Sequence, residues 1–96
     1  MPLFAVIRTR GPAWRPGTPM EEQDAWRPHA DFMNQLAADG FVLLGGPLDE
    51  PDVLLIVRAA SADAIRARLA ADPWEQMGLL AVTRISPWTL RLGSLP

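Results

Sequence analysis

The residue best suited to acid–base chemistry is His29, the only histidine in a chain of 96 residues. An imidazole titrates near neutral pH, so it can accept and return a proton under physiological conditions. Phe32, Met33 and Leu36 follow at helical spacing, which places the ring at the edge of an apolar helix face. The chain has no cysteine, so a thiolate nucleophile, a thiolate zinc site and a disulfide are excluded. His29 is therefore the leading candidate for catalysis.

A pair of glycines followed by a proline, Gly45-Gly46-Pro47, comes directly after an apolar run of strand length. Glycines let a ligand or another backbone approach closely, and proline ends ladder pairing. We therefore predict a pocket at this strand end, with Gly46 and Pro47 among the residues that contact a substrate. The segment lacks the spacing of the glycine-rich phosphate motifs, and a plain strand-terminating turn is the alternative.

Tryptophan and arginine supply the remaining binding candidates. Four tryptophans could line an aromatic pocket or serve as core and dimer contacts: Trp14, Trp26, Trp74 and Trp88. Trp74 is the best pocket candidate. Arg8, at the end of the first predicted strand, could bind an anionic substrate through two parallel hydrogen bonds. A solvated strand end is the interpretation that we favour for Arg8.

A metal site is not expected. With one histidine and no cysteine, zinc would need mostly carboxylate ligands. Asp31 is two residues from His29, and this spacing puts the two side chains on different helix faces. We predict neither a structural metal nor a cofactor.

Size and composition indicate one domain, residues 1–96, that belongs in the cytoplasm. The net charge of -2 gives no basic footprint for nucleic acid. No apolar run approaches the roughly 20 residues of a membrane span. Hydrophobic residues make up 49% of the chain, a large share for so small a protein. We expect part of that apolar surface to be buried against a second copy.

The first half of the chain predicts a strand, a loop and a helix. Leu3 to Arg8 is an apolar run stopped by glycine and proline. A loop follows, and Thr18 to Glu21 has the capping-box spacing of a short helical turn. The main helix runs from about Pro28 to Asp39, where glycine ends it. Its predicted inward-facing residues are Phe32, Met33, Leu36 and Ala37.

The second half predicts two strands, a helix and a last strand. Phe41 to Gly46 and Val53 to Val57 are joined by a short turn, which makes them an antiparallel hairpin. Ser61 is a good N-cap for a helix that ends near Ala71, and a further helical turn reaches Met77. Leu79 to Ile85 is the last strand, which finishes at Ser86-Pro87-Trp88.

This order, βαββαβ, is that of an α+β ferredoxin-like fold: a four-stranded antiparallel sheet with two helices on one face. Both hairpin strands are continuous apolar runs rather than clean alternations, so the second face of the sheet should be buried as well. The simplest cover is the same face of another copy. We therefore predict a homodimer through the sheet face and leave open whether dimers assemble further.

Several short motifs follow one another along the chain: Arg27-Pro28-His29-Ala30, Gly45-Gly46-Pro47-Leu48, Asp72-Pro73-Trp74 with Gly78, and Pro87-Trp88. In this order and spacing they resemble the YciI-like (YCII-related) family of the dimeric α+β barrel superfamily. Most of the chain takes part. In many relatives one residue separates the proline and the histidine, whereas here they are adjacent, and the loop from Gly11 to Asp24 is long.

The resemblance implies a dimer with a cleft in each subunit, where the family's histidine and aspartate meet. Carried over to this sequence, the pair is His29 and Asp72. A carboxylate on one ring nitrogen would fix the imidazole tautomer and stabilise its cation. One relative removes chloride from a chlorinated hydroxyquinone, which suggests one reaction of this type. The plain alternative is that His29 packs near a helix start while Asp72 only ends the second helix.

Two functions from different classes follow. The first is a small enzyme of lyase or isomerase type that binds a small, aromatic molecule and transfers protons through His29 and Asp72. The second is a non-catalytic module that binds a ligand or supports an assembly. A dyad requires side-chain atoms within roughly 2.6–3.2 Å of each other. The non-catalytic alternative predicts that the two side chains do not touch.

Overall fold

The computed structural model describes residues 1–95, which form four strands and three α-helices. The strands are β1 (Leu3–Arg10), β2 (Val42–Pro47), β3 (Asp52–Arg58) and β4 (Leu80–Trp88). The helices are α1 (Trp26–Ala38), α2 (Ala62–Leu69) and α3 (Pro73–Met77), with a 3₁₀ turn at Met20–Glu22.

The four strands form one antiparallel sheet in the order β2-β3-β1-β4. The first and third strands are neighbours at its centre, where Val6 lies opposite Leu55. The predicted ferredoxin-like architecture is confirmed. The two central strands, β3 and β1, carry side chains that the helices cover, and every second residue of β1 points toward the helices.

The helix-covered face of the sheet holds an apolar cluster. Phe4 and Val6 of β1 lie on this face and pack with Leu36 of α1 and with Ile65 and Leu69 of α2. All five side chains are buried. This cluster seats both longer helices on the same face, and it fixes the position of α1 relative to β1.

The opposite face of the sheet, which we call the open face, carries apolar side chains that no helix covers. Ala5, Leu54 and Ile56 alternate with the residues that face the helices. On the outer strands, Leu44 is 46% exposed and Trp88 is 38% exposed. The open face of the single chain therefore has an accessible apolar surface.

Helix α1 begins two residues earlier than the sequence predicts. Ala25 takes a left-handed conformation, with φ 56°, and no side chain caps the helix. Pro28 is the third helical residue, where its missing N–H would have no intrahelical partner in any case. The proline therefore lies inside the first turn and does not start the helix. Thr18 does not cap the 3₁₀ turn either, since Pro19 is the residue at its N-cap.

Two side-chain caps position the shorter helices. The Ser61 hydroxyl accepts a hydrogen bond from the Ala64 N–H at 3.1 Å, so the predicted N-cap of α2 is confirmed. Asp72 caps α3 by accepting from the Trp74 N–H at 3.0 Å. Gly78 ends α3 in the left-handed conformation that glycine tolerates. Short as it is, α3 is therefore fixed at both ends.

Among the helices of residues 1–95, none is both long enough and apolar enough to cross a bilayer.

Candidate active site

His29 and Asp72, which are 43 residues apart in sequence, are in direct contact in the fold. Nδ1 of His29 lies 2.9 Å from Oδ1 and 2.9 Å from Oδ2 of Asp72. The imidazole is buried in the first turn of α1, and Asp72 is fully buried at the start of α3. The distance meets the requirement for a dyad. Asp72 also has a structural role, since the same carboxylate caps α3.

Arg8 of β1 adds a buried positive charge on the other side of Asp72. Its Nη1 lies 2.9 Å from Oδ2 of Asp72, and its Nη2 lies 2.9 Å from Oε2 of Glu75. Arg8 is 1% exposed. Our interpretation of Arg8 as a solvated strand end was wrong, because β1 continues to Arg10 and turns the Arg8 side chain toward the helices. A buried guanidinium needs such carboxylate partners.

The Arg8 ion pair and two hydrogen bonds keep Asp72 ionised. Burial alone would raise the pKa of Asp72, but hydrogen bonds from His29 and the Trp74 N–H, together with the Arg8 charge, bring it below its ordinary value of 3.8. An ionised carboxylate only accepts hydrogen bonds, so Nδ1 must donate. The lone pair of a neutral His29 ring then lies on Nε2, for which residues 1–95 supply no hydrogen-bond partner.

Aromatic rings fix the plane of the imidazole. The indole of Trp74 stacks on His29 with ring centroids 3.8 Å apart and planes 6° from parallel. Trp26 lies against the same two rings at 5.9 Å and 5.8 Å. Trp14 meets Trp74 edge to face at 5.4 Å. With its face stacked and Nδ1 bonded, the ring has one defined orientation.

The long loop from Gly11 to Asp24 packs against this aromatic cluster. Its backbone bonds to the end of α3, where the Gly11 N–H donates to Leu79 at 2.9 Å and the Ala13 N–H donates to Gly78 at 3.1 Å. A Cβ at Gly11 would collide with the Gly78 carbonyl oxygen. Buried Gln23 ties the loop together by donating to the carbonyls of Arg15 and Thr18. The loop therefore holds Trp14 against Trp74.

A cavity of about 260 Å³ adjoins the dyad. His29 and Trp74 line it on one side, and Gly45, Gly46 and Pro47 line it at the end of β2. Gly45 contacts β3 closely, since a Cβ there would lie 2.8 Å from Cδ2 of Leu55. Nothing lies within 4 Å of a Cβ built at Gly46, so this glycine leaves open space beside the cavity.

The structure brings together all of the residues that the sequence singled out as site candidates. His29 and Asp72 touch, and the cavity wall includes Arg8, Gly46, Pro47 and Trp74. Their roles in catalysis and substrate binding stay predictions. Arg8 cannot bind a substrate anion through both Nη atoms as the sequence suggested, because each Nη atom already binds a carboxylate of the protein.

Sequence reasoning missed Glu75 and Arg10, and it left open whether Trp14 lines a pocket or packs in the core. Glu75 follows Asp72 by three residues and lies in the first turn of α3. This spacing places the two carboxylates on neighbouring positions of one helix turn, and it could have identified Glu75 from the sequence. Arg10 follows Arg8 by two residues, so a longer β1 would have placed both on one face. Trp14 lies in the loop, where no periodicity predicts its partner.

A search of residues 1–95 for metal-binding clusters of three or more histidine and carboxylate side chains finds none. The basic and apolar lining of the cavity offers no set of hard oxygen ligands.

Comparisons with known proteins bear on the family and the fold of this chain. A family model, the YCII-related domain, matches residues 3–89. One similar solved structure is 5-chloro-2-hydroxyhydroquinone dehydrochlorinase (TftG) from Burkholderia phenoliruptrix AC1100, in complex with 2,5-dihydroxybenzoquinone. It has a TM-score of 0.67 and 27% sequence identity, over 91% of this chain and 93% of that one. A search of curated proteins returned no significant match.

Proposed function

The chain belongs to the YCII-related domain family, and we propose that it is an enzyme that transfers protons on a small ring-shaped molecule in the cavity beside His29. The reaction is of the elimination or isomerisation type. His29 is the general base and acid, and Asp72 orients it. The substrate contacts are Gly46, Pro47, Trp74 and Arg8, which line the cavity.

One observation carries this proposal: the buried dyad leaves one imidazole nitrogen unused beside the cavity. Asp72 holds Nδ1 at 2.9 Å, and Trp74 holds the ring plane. Nε2, without a partner in the described chain, is then free to take a proton from a bound molecule. The Asp72 carboxylate compensates the positive charge that the ring acquires.

In an elimination, His29 takes a proton from a carbon or hydroxyl of the substrate. The electron pair of the broken bond becomes a new double bond, and the leaving group departs with its own bonding pair. In an isomerisation, the imidazolium returns the proton to a different atom. The stacked indole covers one face of the ring and holds its plane, so that Nε2, whose lone pair lies in that plane, exchanges the proton with the bound molecule.

The similarity to TftG suggests the first compound to assay, 5-chloro-2-hydroxyhydroquinone. We expect the wild type to release chloride from it, and we expect His29→Gln to lower the rate by about 100- to 10,000-fold. Deuterium uptake from D₂O at the ring C–H positions of 2,5-dihydroxybenzoquinone gives a second readout of proton transfer, which does not depend on a leaving group.

Asp72→Asn should also lower both rates, whereas Asp31→Asn is the matched control. Asp31 is an exposed carboxylate on α1, paired with Arg27 at 3.2 Å. Equal rates in the wild type and a folded His29→Gln variant would contradict the catalytic role. Absence of both reactions in the wild type would favour the alternative function, a non-catalytic module that binds a small molecule.

We also propose that the protein is a homodimer through the open face. The apolar side chains Leu44 and Trp88 are accessible there, and a second shallow cavity lies between Leu44, Leu48 and Ile56. Burial of such a surface drives association. Sedimentation equilibrium should show a dimer for the wild type and a monomer for Leu44→Asp. A monomeric wild type would contradict this assembly.

A further inference from the structure

The cavity is lined by basic side chains and by no acidic ones. Among its lining residues within the described chain, Arg8, Arg10 and His29 carry basic nitrogens, and none carries a carboxylate. This is a bias of the cavity and not of the chain, which has 11 acidic residues and 9 lysines and arginines. Much of the remaining wall is apolar, with Met20, Met33, Val42, Val53, Leu55 and Leu80. A ligand with an apolar body and a negative charge fits these surroundings.

Arg8 is not free to be the main anion-binding group. Both of its Nη atoms bind carboxylates, those of Asp72 and Glu75, at 2.9 Å. Its remaining nitrogen, Nε, is buried and has no hydrogen-bond partner in residues 1–95. A buried donor without a partner is unfavourable. Two carboxylates already balance the Arg8 charge inside the protein, so Arg8 has little attraction left for a ligand anion.

Arg10 is the available cation of the cavity. Its guanidinium carbon lies over the indole of Trp14, 4.3 Å from the ring centroid, so a cation–π contact helps to hold the Arg10 side chain at the cavity. Its protein partner, Glu50, lies 2.9 Å from Nη1, but the Glu50 side chain is 81% exposed. Ion pairs with such an exposed carboxylate are weak. A ligand anion can therefore replace Glu50.

We infer that Arg10, stacked on Trp14, recognises an anionic oxygen of the substrate, which is a planar ring acid such as an ionised hydroxyquinone. The inference rests on the proposed function, and it names the substrate class of the same site. The cavity of about 260 Å³ has room for a single ring. Charge-assisted hydrogen bonds from Arg10 hold the anion, and the apolar wall and His29 receive the ring.

The test compares the binding of two quinones by isothermal titration calorimetry at neutral pH. 2,5-Dihydroxybenzoquinone is an acid that loses its hydroxyl protons in water, whereas 2,5-dimethoxybenzoquinone has the same ring and no charge. The chain has no cysteine that could add to either quinone. Arg10→Gln should weaken binding of the anion by about 10- to 100-fold and leave binding of the neutral quinone unchanged. Added salt should weaken binding of the anion by the wild type.

Two further variants make the test specific to Arg10. Arg66→Gln is the matched control, since Arg66 is exposed on α2 and does not line the cavity. It should bind the anion like the wild type. Glu50→Gln removes the competing carboxylate and should strengthen binding of the anion about twofold.

Three results would overturn the inference: no binding of the anion by the wild type, equal affinity in Arg10→Gln and the wild type, or equal losses for the two quinones. These measurements report affinity and not turnover. A failure of His29 to transfer protons would therefore leave the result on Arg10 standing, and the reverse also holds.

Discussion

Phe4 and Arg8 occupy equivalent positions on one face of β1, four residues apart, and both are buried, yet their surroundings are opposite. Phe4 belongs to the apolar cluster beneath α1 and α2. Arg8 contacts Asp72 and Glu75 and lines the cavity. We call these two parts of the covered sheet face the apolar end and the charged end. The same strand therefore supplies the core with one side chain and the candidate active site with another.

The difference shows that burial at the two ends serves different purposes. The apolar end gains free energy from removing hydrocarbon from water. At the charged end, desolvation of three ionisable groups costs free energy, and their attraction offsets part of that cost. A protein selected only for stability has no need of such a cluster. The proposed function accounts for the charged end, because its Asp72 holds the imidazole of His29.

The largest expected effect on stability comes from breaking the charged end. Asp72→Ala removes one of the two carboxylates that compensate the buried Arg8 charge, leaving only the partly exposed Glu75, and it also removes the cap of α3. It should therefore lower the free energy of unfolding by about 3–5 kcal/mol in urea denaturation. Leu36→Ala, at the apolar end, should cost about 2–5 kcal/mol through the cavity that it leaves.

A second substitution distinguishes the two mechanisms. Arg8→Met added to Asp72→Ala removes the buried charge that has lost its Asp72 partner, and it should recover part of the lost free energy of unfolding, because an apolar replacement of a buried ion pair is often tolerated. If the losses of unfolding free energy in the single variants Asp72→Ala and Arg8→Met simply add in the double variant, the cost of burying an unbalanced charge does not dominate at the charged end.

Lowering the pH should remove the contribution of the charged end to the free energy of unfolding. The pKa of Asp72 is lowered in the folded state from its ordinary value of 3.8. Its ionised form therefore stabilises the fold fully above that ordinary value, and this contribution is lost as pH falls through the lower folded-state pKa. In urea melts, the difference between wild type and Asp72→Asn should shrink as pH falls below about 4. Asp31→Asn should show a smaller change, and a difference that is independent of pH would contradict the assignment.

The smallest effect is expected at the edge of the apolar end. Ser61→Ala removes the cap of α2, whose Ile65 and Leu69 belong to the apolar cluster, and should cost about 1 kcal/mol of unfolding free energy. Thr18→Ala, at the position that the sequence suggested as a cap, should change it by less than about 0.5 kcal/mol. A larger loss for Thr18→Ala would mean that the Thr18 side chain stabilises the turn after all.

The sequence predicts the order of elements well because local signals mark them. Glycine at position 78, serine at position 61 and the apolar strand runs each follow a simple stereochemical rule. The start of α1 departs from these rules because it depends on a left-handed Ala25, which alanine adopts only at a cost in backbone strain. Ala37, which the sequence predicts to face inward, is exposed, whereas Ala30 is buried, because contacts across the fold decide which flank of the helix faces inward.

The candidate site was predictable only where family motifs pointed to it. His29 stands out as the sole histidine, and the resemblance supplies Asp72. The Arg8 ion pair joins residues that are far apart in sequence, and no periodicity reveals its partners. Alternation in β1 gave a usable hint, since an arginine two residues after buried Val6 would face inward and need a carboxylate.

The most direct test of the account is the tautomer of His29, because this chain has one imidazole and its ring nitrogens can be assigned without ambiguity by ¹H–¹⁵N NMR. For the neutral form of the ring, we predict the proton on Nδ1, bonded to Asp72, and the lone pair on Nε2. Asp72→Asn should shift this balance and Asp31→Asn should not. A wild-type ring with its proton mainly on Nε2 would contradict the proposed base.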